Sequence, residues 1–462
     1  MSQQRTFLSG TLREVAAACS GEVQERWAGV SFEGVSTDTR QLARGELFVA
    51  LVGQKHNGHD FLAAAHEAGA AGAVVARAHG PAGADFPAVV VEDTLRALGC
   101  LAGLHRSRLR AKVAAVTGST GKTTTKDMLG SIMGLRGRTV VAEGTHNNEV
   151  GVPLTLLRVA PDDQFCVLEF AMRGPGEIDY LAGIARPEVG VITNIGQSHV
   201  GRLGSREAIA QTKAELLGHL SAEGAAVLNA DDFFFGVLTA MAPCRVVSFA
   251  IEAEADFRAE QIREGDLEGI AFELVTPAGR AEVSLAMPGR HNVMNALAAA
   301  AAGAQLGAAL PQIVDGLESC AGGAMRMQRV RGRRGSTIIN DAYNASPDSV
   351  AAALDVLAAA PGRRVFVFGD MLEMGEAGPA AHREVGALAA RMGVARLVSV
   401  GELAALAAEE AGRRGVRSDS VADAAAAAEL LGPELGPGDC VLVKGSRGMH
   451  LEGVVEALAD DS

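Results

Sequence analysis

The chain has 462 residues, too many for one ordinary core and about the length of three domains. A hydrophobic content of 48% and a charged content of 21% are those of a soluble globular protein. The net charge of −13 argues against a general nucleic-acid binder, which carries a basic face.

Six scattered cysteines (Cys19, Cys100, Cys166, Cys244, Cys320 and Cys440) contain no Cys-x-x-Cys pair. Neither a disulfide framework nor a cysteine metal site is expected, and a reducing cytoplasm fits. Glu14 interrupts the only apolar stretch near the N-terminus, so no signal pattern is read there. The longest uncharged segment, from Asn292 to Gln312, is too weakly apolar for a membrane span. The expectation is a cytoplasmic protein without membrane insertion.

The first hundred residues alternate strand-like and helix-like runs. Strands are expected over Glu46 to Leu51, Ala73 to Val75 and Ala88 to Val91, with helices over Phe61 to Ala68 and Thr94 to about Arg106. A first boundary falls near Arg110. Two polar clusters, Ser36 to Arg40 and Lys55 to Asp60, read either as ordinary turns or as an anion pocket in which Arg40 and Lys55 meet a diphosphate.

A β-prone run from Val113 to Thr117 then ends in Gly118-Ser119-Thr120-Gly121-Lys122-Thr123-Thr124, and a helix-forming segment follows. That order aims backbone amides and a helix N-terminus at one spot, which suits a polyphosphate such as that of ATP. Lys122 is placed to reach the terminal phosphates and the Thr123 hydroxyl to hold Mg²⁺. Val116 stands where the longer pattern has its first glycine, so the loop is a shortened one. Side chains at the glycines are expected to hold the backbone away from phosphate oxygens.

Further strands are expected at Thr139 to Val141, Phe165 to Glu169 and Val189 to Asn194. Strand and helix patterns alternate, which implies a parallel sheet covered on both faces. Ligands collect at the carboxyl ends of such strands, where Glu169, Asn194 and His199 lie. Glu169 ends a buried apolar run, and either a metal ion or simple emergence at the strand end accounts for it. Arg206 to Leu220 reads as one helix with a stripe of Ile209, Leu216, Leu217 and Leu220. Lys213 falls inside that stripe, so it has a buried partner, has an altered charge state, or snorkels out along its stem. Asn292 and Asn295 share one face at the start of an Ala-rich helix; they suit an adenine edge, or Asn292 caps the helix.

From about Ala324 another alternating series begins, with strands at Thr337 to Ile339, Val365 to Phe368, Leu397 to Val400 and Val441 to Val443. It has no phosphate loop, but its strands end in polar groups that suit a second substrate. The short basic run from Arg326 to Arg334 reads as a solvated turn or a phosphate contact. Ser346-Pro347-Asp348 starts a helix with a capping hydroxyl, a first-turn proline and an early acid. The expected fold is α/β in three domains: a smaller α/β domain at residues 1–110, a central P-loop doubly wound parallel sheet at 111–323, and a Rossmann-like domain at 324–462.

Four stretches give the chain a resemblance to the Mur ligase family, ATP-dependent amide-forming enzymes of bacterial peptidoglycan synthesis. They are Thr145 to Thr155, Glu169 to Ile178, Asp341 to Pro347 and Gly369 to Gly375, and the likeness covers nearly the whole chain. The Asp-Asn-Pro-Arg signature of the branch that adds the third peptide residue is absent. The resemblance therefore implies a monomeric ligase joining D-alanyl-D-alanine to UDP-N-acetylmuramoyl-tripeptide, with a sibling Mur-type ligase adding another amino acid as the alternative.

That resemblance also implies roles. Residues Gly118 to Thr124 hold the ATP phosphates, Asn292 and Asn295 the adenine, and Arg326 and Asp341 the γ-phosphate and ribose. Thr123, Glu169, His199 and a carbamylated Lys213 hold Mg²⁺, and Lys122 completes the catalytic set. Ser36, Arg40, Lys55, Asn147 and Asn148 grip the UDP-sugar, while Tyr343 and Asn344 face the acceptor. Ala171 stands where relatives often carry glycine. Against a GTPase, no Asn-Lys-x-Asp motif appears; against a non-catalytic binder, Lys122, Glu169, His199 and Lys213 occur together.

Overall fold

The structure, a computed structural model, describes residues 5–79, 85–198, 200–265 and 267–460. His199, expected at the site, lies outside the described residues. The chain forms two compact units that interleave in sequence: residues 1–116, 136–190 and 215–224, and residues 117–135, 191–214 and 225–462.

In the first unit, apolar runs from the N-terminal hundred residues build a five-stranded sheet. Its order is Glu22–Val23, Ala88–Val91, Gly72–Ala76, Leu47–Val49, Val35–Ser36. All neighbours are parallel except the outer Glu22–Val23 strand. Gly72–Ala76 is buried throughout, as a continuous apolar run in a covered parallel sheet should be. Helix Leu12–Ala18 starts at Thr11, whose side chain and Glu14 form a reciprocal cap. Helix Thr94–Arg108 starts at Asp93, whose carboxylate accepts from the Leu95 and Arg96 amides.

The same unit carries a parallel set in which Phe165–Glu169 lies between Lys112–Thr117 and Thr139–Val141. Glu169 pairs with Val116 and so stands at the carboxyl end of that set.

In the second unit, Ala225–Asn229, Arg245–Ala250 and Phe257–Gly265 pair in parallel. Two strands then continue antiparallel, Gly269–Thr276 and Gly279–Leu285. This antiparallel extension was not expected. Its strands alternate instead of forming apolar runs: Ile270, Phe272 and Leu274 are buried while Glu273 and Ala271 are partly open.

The remaining sheet has the order Gln328–Arg331, Thr337–Asp341, Asp439–Lys444, Arg363–Gly369, Arg396–Val400, Arg417–Val421. Only the first pair is antiparallel. Alternate residues serve two cores, one with Ile339, Phe366, Phe368 and Leu442, the other with Ile338, Val365, Val367 and Val441. Helices cover both faces, as the Rossmann-like arrangement expected of residues 324–462 requires.

The expected helix from Arg206 to Leu220 is broken. It runs Arg206–Ala214, and a 3₁₀ turn follows at Leu217–His219. Glu215, between them, accepts from the Gly176 and Asp179 amides at 2.8 and 3.0 Å, at the start of helix Glu177–Ala185. A carboxylate there is favoured by the helix dipole. The stripe itself is buried, with Ile209, Leu216 and Leu217 fully covered.

Candidate functional site

The loop Gly118–Gly121 joins a buried strand end to helix Lys122–Gly134. The first helical bond runs from Thr125 N–H to Gly121 O at 2.9 Å, so the amides ahead of it lie at the positive end of the helix. Gly118 and Gly121 have φ of +148° and +78°. A Cβ on Gly118 would stand 1.8 Å from Thr193 Oγ1, and one on Gly121 2.1 Å from Asn295 Oδ1. The sequence reading assigned these glycines to phosphate approach. Packing against Thr193 and Asn295, together with the left-handed backbone, already requires them.

Asn194 fastens the loop from the neighbouring strand end. Its Oδ1 accepts from Thr120 N at 3.0 Å, its Nδ2 donates to Thr120 Oγ1 at 2.9 Å, and its carbonyl accepts from Ser119 N at 3.0 Å. Thr193 Oγ1 donates to Thr120 O at 2.6 Å. Gly196 N donates to Ser119 Oγ at 2.9 Å, and the next amide, Gln197 N, donates to Asp348 Oδ2 at 2.9 Å. Gly196 passes so tightly between them that a Cβ would lie 2.2 Å from Asp348 Oδ2.

Two lysines converge on the same loop. Lys122 Nζ donates to Gly118 O at 2.9 Å and Ser119 O at 3.3 Å. Lys213, 1% exposed, donates to Gly118 O at 2.9 Å. Burial first, and the Lys122 charge second, hold the Lys213 ammonium well below the ordinary lysine value. The stripe argument thus finds its buried lysine, and its stem does not snorkel out.

Asn292 and Asn295 lie 3% and 6% exposed on helix Arg290–Gln305. Asn292 does not cap that helix: its Nδ2 donates to Pro288 O at 2.8 Å, and Gly289 occupies the cap. Asn295 Nδ2 donates to Asn292 Oδ1 at 3.2 Å, and Asn295 Oδ1 accepts from Thr125 Oγ1 at 3.5 Å. The pair is thereby aligned beside the phosphate-loop helix.

Asp341, at a strand end, pairs with Lys444 at 2.5 Å and accepts from Met327 N at 3.2 Å. Lys444, 2% exposed, also donates to Asn344 O at 3.0 Å. The Arg326 guanidinium stacks 4.1 Å over the Tyr343 ring. His291 is held neutral, its pKa lowered to about 4, first by burial and further by Lys444 against the opposing pull of Asp341.

Glu169 is 2% exposed. Its Oε1 accepts from Asn147 Nδ2 at 2.8 Å, whereas its Oε2 is buried with no hydrogen-bond partner. An orphaned buried carboxylate oxygen is costly, and a hard cation removes that cost. A carboxylate oxygen is a donor Mg²⁺ takes, so Glu169 fits that ion. Among the described residues no group of three or more His, Cys, Asp or Glu gathers as a metal site. Asn148 Oδ1 accepts from the Val150 and Gly151 amides, fixing the start of helix Gly151–Leu157.

The remaining expected residues are less assembled. Arg40 is paired locally with Asp38, and Ser36 Oγ accepts from Asp38 N at 3.2 Å. Lys55 is exposed. Thr193 was given no role from the sequence, Asp348 only that of an early acid in its helix, and Lys444 only a place among the polar strand ends. A lysine ending a wholly buried strand was the one available signal.

Family models match most of the chain: the Mur ligase family catalytic domain over residues 31–106, the Mur ligase middle domain over 116–303, and the Mur ligase glutamate ligase domain over 325–447. A UDP-N-acetylmuramoyl-tripeptide–D-alanyl-D-alanine ligase from Escherichia coli is 36% identical over 98% of this chain and 99% of its own. The enzyme of that name from Bacillus subtilis is 35% identical over the same shares. Among solved structures, MurF from Acinetobacter baumannii matches with a TM-score of 0.90 and 33% identity over 98% of this chain and 99% of its own. MurF ligase from Thermotoga maritima in complex with ADP matches at 0.81 and 27% over 92% and 96%. Among the described residues no helix is long and apolar enough to cross a membrane.

Proposed function

Since the chain belongs to the Mur ligase family, we propose that it joins D-alanyl-D-alanine to UDP-N-acetylmuramoyl-tripeptide at the expense of ATP, in peptidoglycan precursor synthesis. The observation that carries this reading is the phosphate loop with Lys122 and Lys213 both bound to Gly118 O, in a chain matched end to end by ligases of that name. The enzyme works as a cytoplasmic monomer.

A carboxylate is a poor acyl donor. Transfer of the γ-phosphoryl group of ATP to the tripeptide carboxylate forms an acyl phosphate and ADP. The dipeptide amine then attacks the carbonyl carbon, an amide forms, and inorganic phosphate and a proton leave. The loop amides and Lys122 face the phosphates and stabilise charge that develops on the transferring group. Mg²⁺, when bound, neutralises phosphate charge. Thr123, Glu169, His199 and carbamylated Lys213 are the proposed ligands, with Oε2 of Glu169 the open oxygen that supports the assignment.

A depressed lysine is a neutral amine; its nitrogen bonds to the carbon of carbon dioxide and releases one proton to solvent, leaving a carbamate anion, as Lys213 is proposed to do. Asn292 and Asn295 orient the adenine, with Arg326 and Asp341 at the γ-phosphate and ribose. Ser36, Arg40, Lys55, Asn147 and Asn148 hold the UDP-sugar, and Tyr343 and Asn344 the acceptor. The three-domain division at residues 1–110, 111–323 and 324–462 is proposed with them.

Phosphate release measured with ATP and UDP-N-acetylmuramoyl-tripeptide, with and without D-alanyl-D-alanine, tests the reading. Release that needs both substrates supports it. Release with glutamate or diaminopimelate in place of the dipeptide reassigns the chain to a sibling branch.

A further inference from the structure

Cys19 follows helix Leu12–Ala18 as its cap, and its Sγ lies 3.6 Å from the carbonyl of Ala97 in helix Thr94–Arg108. Cys100 lies three residues beyond Ala97 on that helix and so shares its face with the turn on which the Cys19 sulfur rests. The two thiols are near enough that each shifts the titration of the other. Cys100 is exposed and Cys19 half-covered, whereas Cys166, Cys320 and Cys440 are buried.

We propose that Cys19 and Cys100 form a peroxide-responsive dithiol, in which Cys100 is oxidised first and Cys19 then closes a disulfide between the two helices.

The surroundings assign the order of attack. Cys100 is lowered to about 6, first by the hydrogen bond from Cys19, which outweighs burial, and then by the nearby charge of Arg96. Arg96 sits one turn before Cys100 on the helix and is held 4.2 Å over the Tyr180 ring. Cys19 is shifted upward by the same hydrogen bond. The remaining half-buried thiol, Cys244, is shifted upward by burial.

The Cys100 thiolate attacks one peroxide oxygen, an S–O bond forms, the O–O bond breaks and hydroxide leaves. Cys19 sulfur then attacks the sulfenic acid, an S–S bond forms, and the S–O bond breaks. The hydroxyl departs as water with the Cys19 proton. The thiols lose two electrons and the peroxide becomes two waters. With the Cys19 sulfur 3.6 Å from the Ala97 carbonyl, one turn before Cys100, side-chain rotation more than backbone travel brings the sulfurs to a bonding geometry. In a reducing compartment the pair rests as the dithiol.

The test is dilute hydrogen peroxide on the purified full chain, followed by alkylation, digestion and mass spectrometry, with Cys19→Ser and Cys100→Ser alongside. The expected result is a Cys19–Cys100 crosslinked peptide, reversed by dithiothreitol, with Cys100 consumed about tenfold faster than Cys244. Cys19→Ser should carry Cys100 on to the sulfinic acid, and Cys100→Ser should leave Cys19 alkylatable. Cys100 reacting no faster than Cys244, a crosslink between two chains, or identical products with and without Cys19 would each overturn the proposal.

Discussion

Lys122 and Lys213 share one acceptor, each Nζ lying 2.9 Å from Gly118 O, so the two ammonium groups are no more than about 6 Å apart. At an effective dielectric of about 20, like charges at that distance repel by roughly 3 kcal/mol. A second charge-assisted hydrogen bond to an acceptor already engaged returns at most about 1.5–3 kcal/mol, before the cost of burying the ammonium. One of the two lysines must therefore yield its charge, and Lys213 is the more buried.

Lys213→Ala is expected to lower kcat by about two orders of magnitude or more, as loss of a transition-state charge partner does. Short carboxylic acids should restore part of it, since they would stand in for the proposed carbamate. Full activity in the unrescued variant would remove Lys213 from the site.

The same lysine links activity to stability. Its folded pKa is depressed, so below the ordinary lysine value the unfolded chain holds a proton that the folded chain does not. Stability therefore rises with pH from the depressed value up to the ordinary one. In buffers freed of carbon dioxide, Lys213→Met should stabilise the chain at neutral pH by about 1–2 kcal/mol. The gain should shrink toward pH 10, and denaturant unfolding at several pH values reads both effects.

His291 gives an acid-side effect. Its folded pKa is about 4 against an ordinary 6.5, so the unfolded state takes up the proton first as pH falls. Stability should decline between pH 6.5 and 4, by less than full burial would give because the ring is only partly covered. In His291→Gln that part of the decline should be missing from the unfolding curves.

Glu169→Gln keeps the shape and the Asn147 contact region but removes the carboxylate whose Oε2 is proposed to meet Mg²⁺. It should be no less stable than the parent without ligand. Protection by Mg²⁺ with a non-hydrolysable ATP analogue in thermal unfolding should fall sharply. Equal protection in both proteins would show that Glu169 does not bind the ion.

Asp348 accepts from Gln197 N one residue beyond the amide that holds Ser119 of the phosphate loop. Asp348→Ala should lower kcat/KM about tenfold, equivalent to the ~1.4 kcal/mol of a charge-assisted hydrogen bond. Steady-state kinetics at saturating ATP check it.

What was readable from the sequence was local or periodic. The order of Gly118, Gly121, Lys122 and Thr123 carries its own geometry, and the 100° stripe placed Lys213 among Ile209 and Leu216 before any contact was known. The antiparallel strands Gly269–Thr276 and Gly279–Leu285 were missed because half-covered strands alternate and leave no apolar run. The contacts of Gly118 with Thr193, Gln197 with Asp348 and Lys444 with Asp341 join positions far apart in the chain. Residue type alone gives no sign of such partners. Glu169 was legible as a buried acid, while its unsatisfied oxygen required the placement of Asn147.

Activation of the carboxylate by phosphoryl transfer is tested most directly with UDP-N-acetylmuramoyl-tripeptide labelled with ¹⁸O in its terminal carboxylate. After turnover with ATP and D-alanyl-D-alanine, the released inorganic phosphate should carry one ¹⁸O atom per amide formed. Unlabelled phosphate, or label found in AMP, would contradict an acyl phosphate and with it the role assigned to the Gly118 loop.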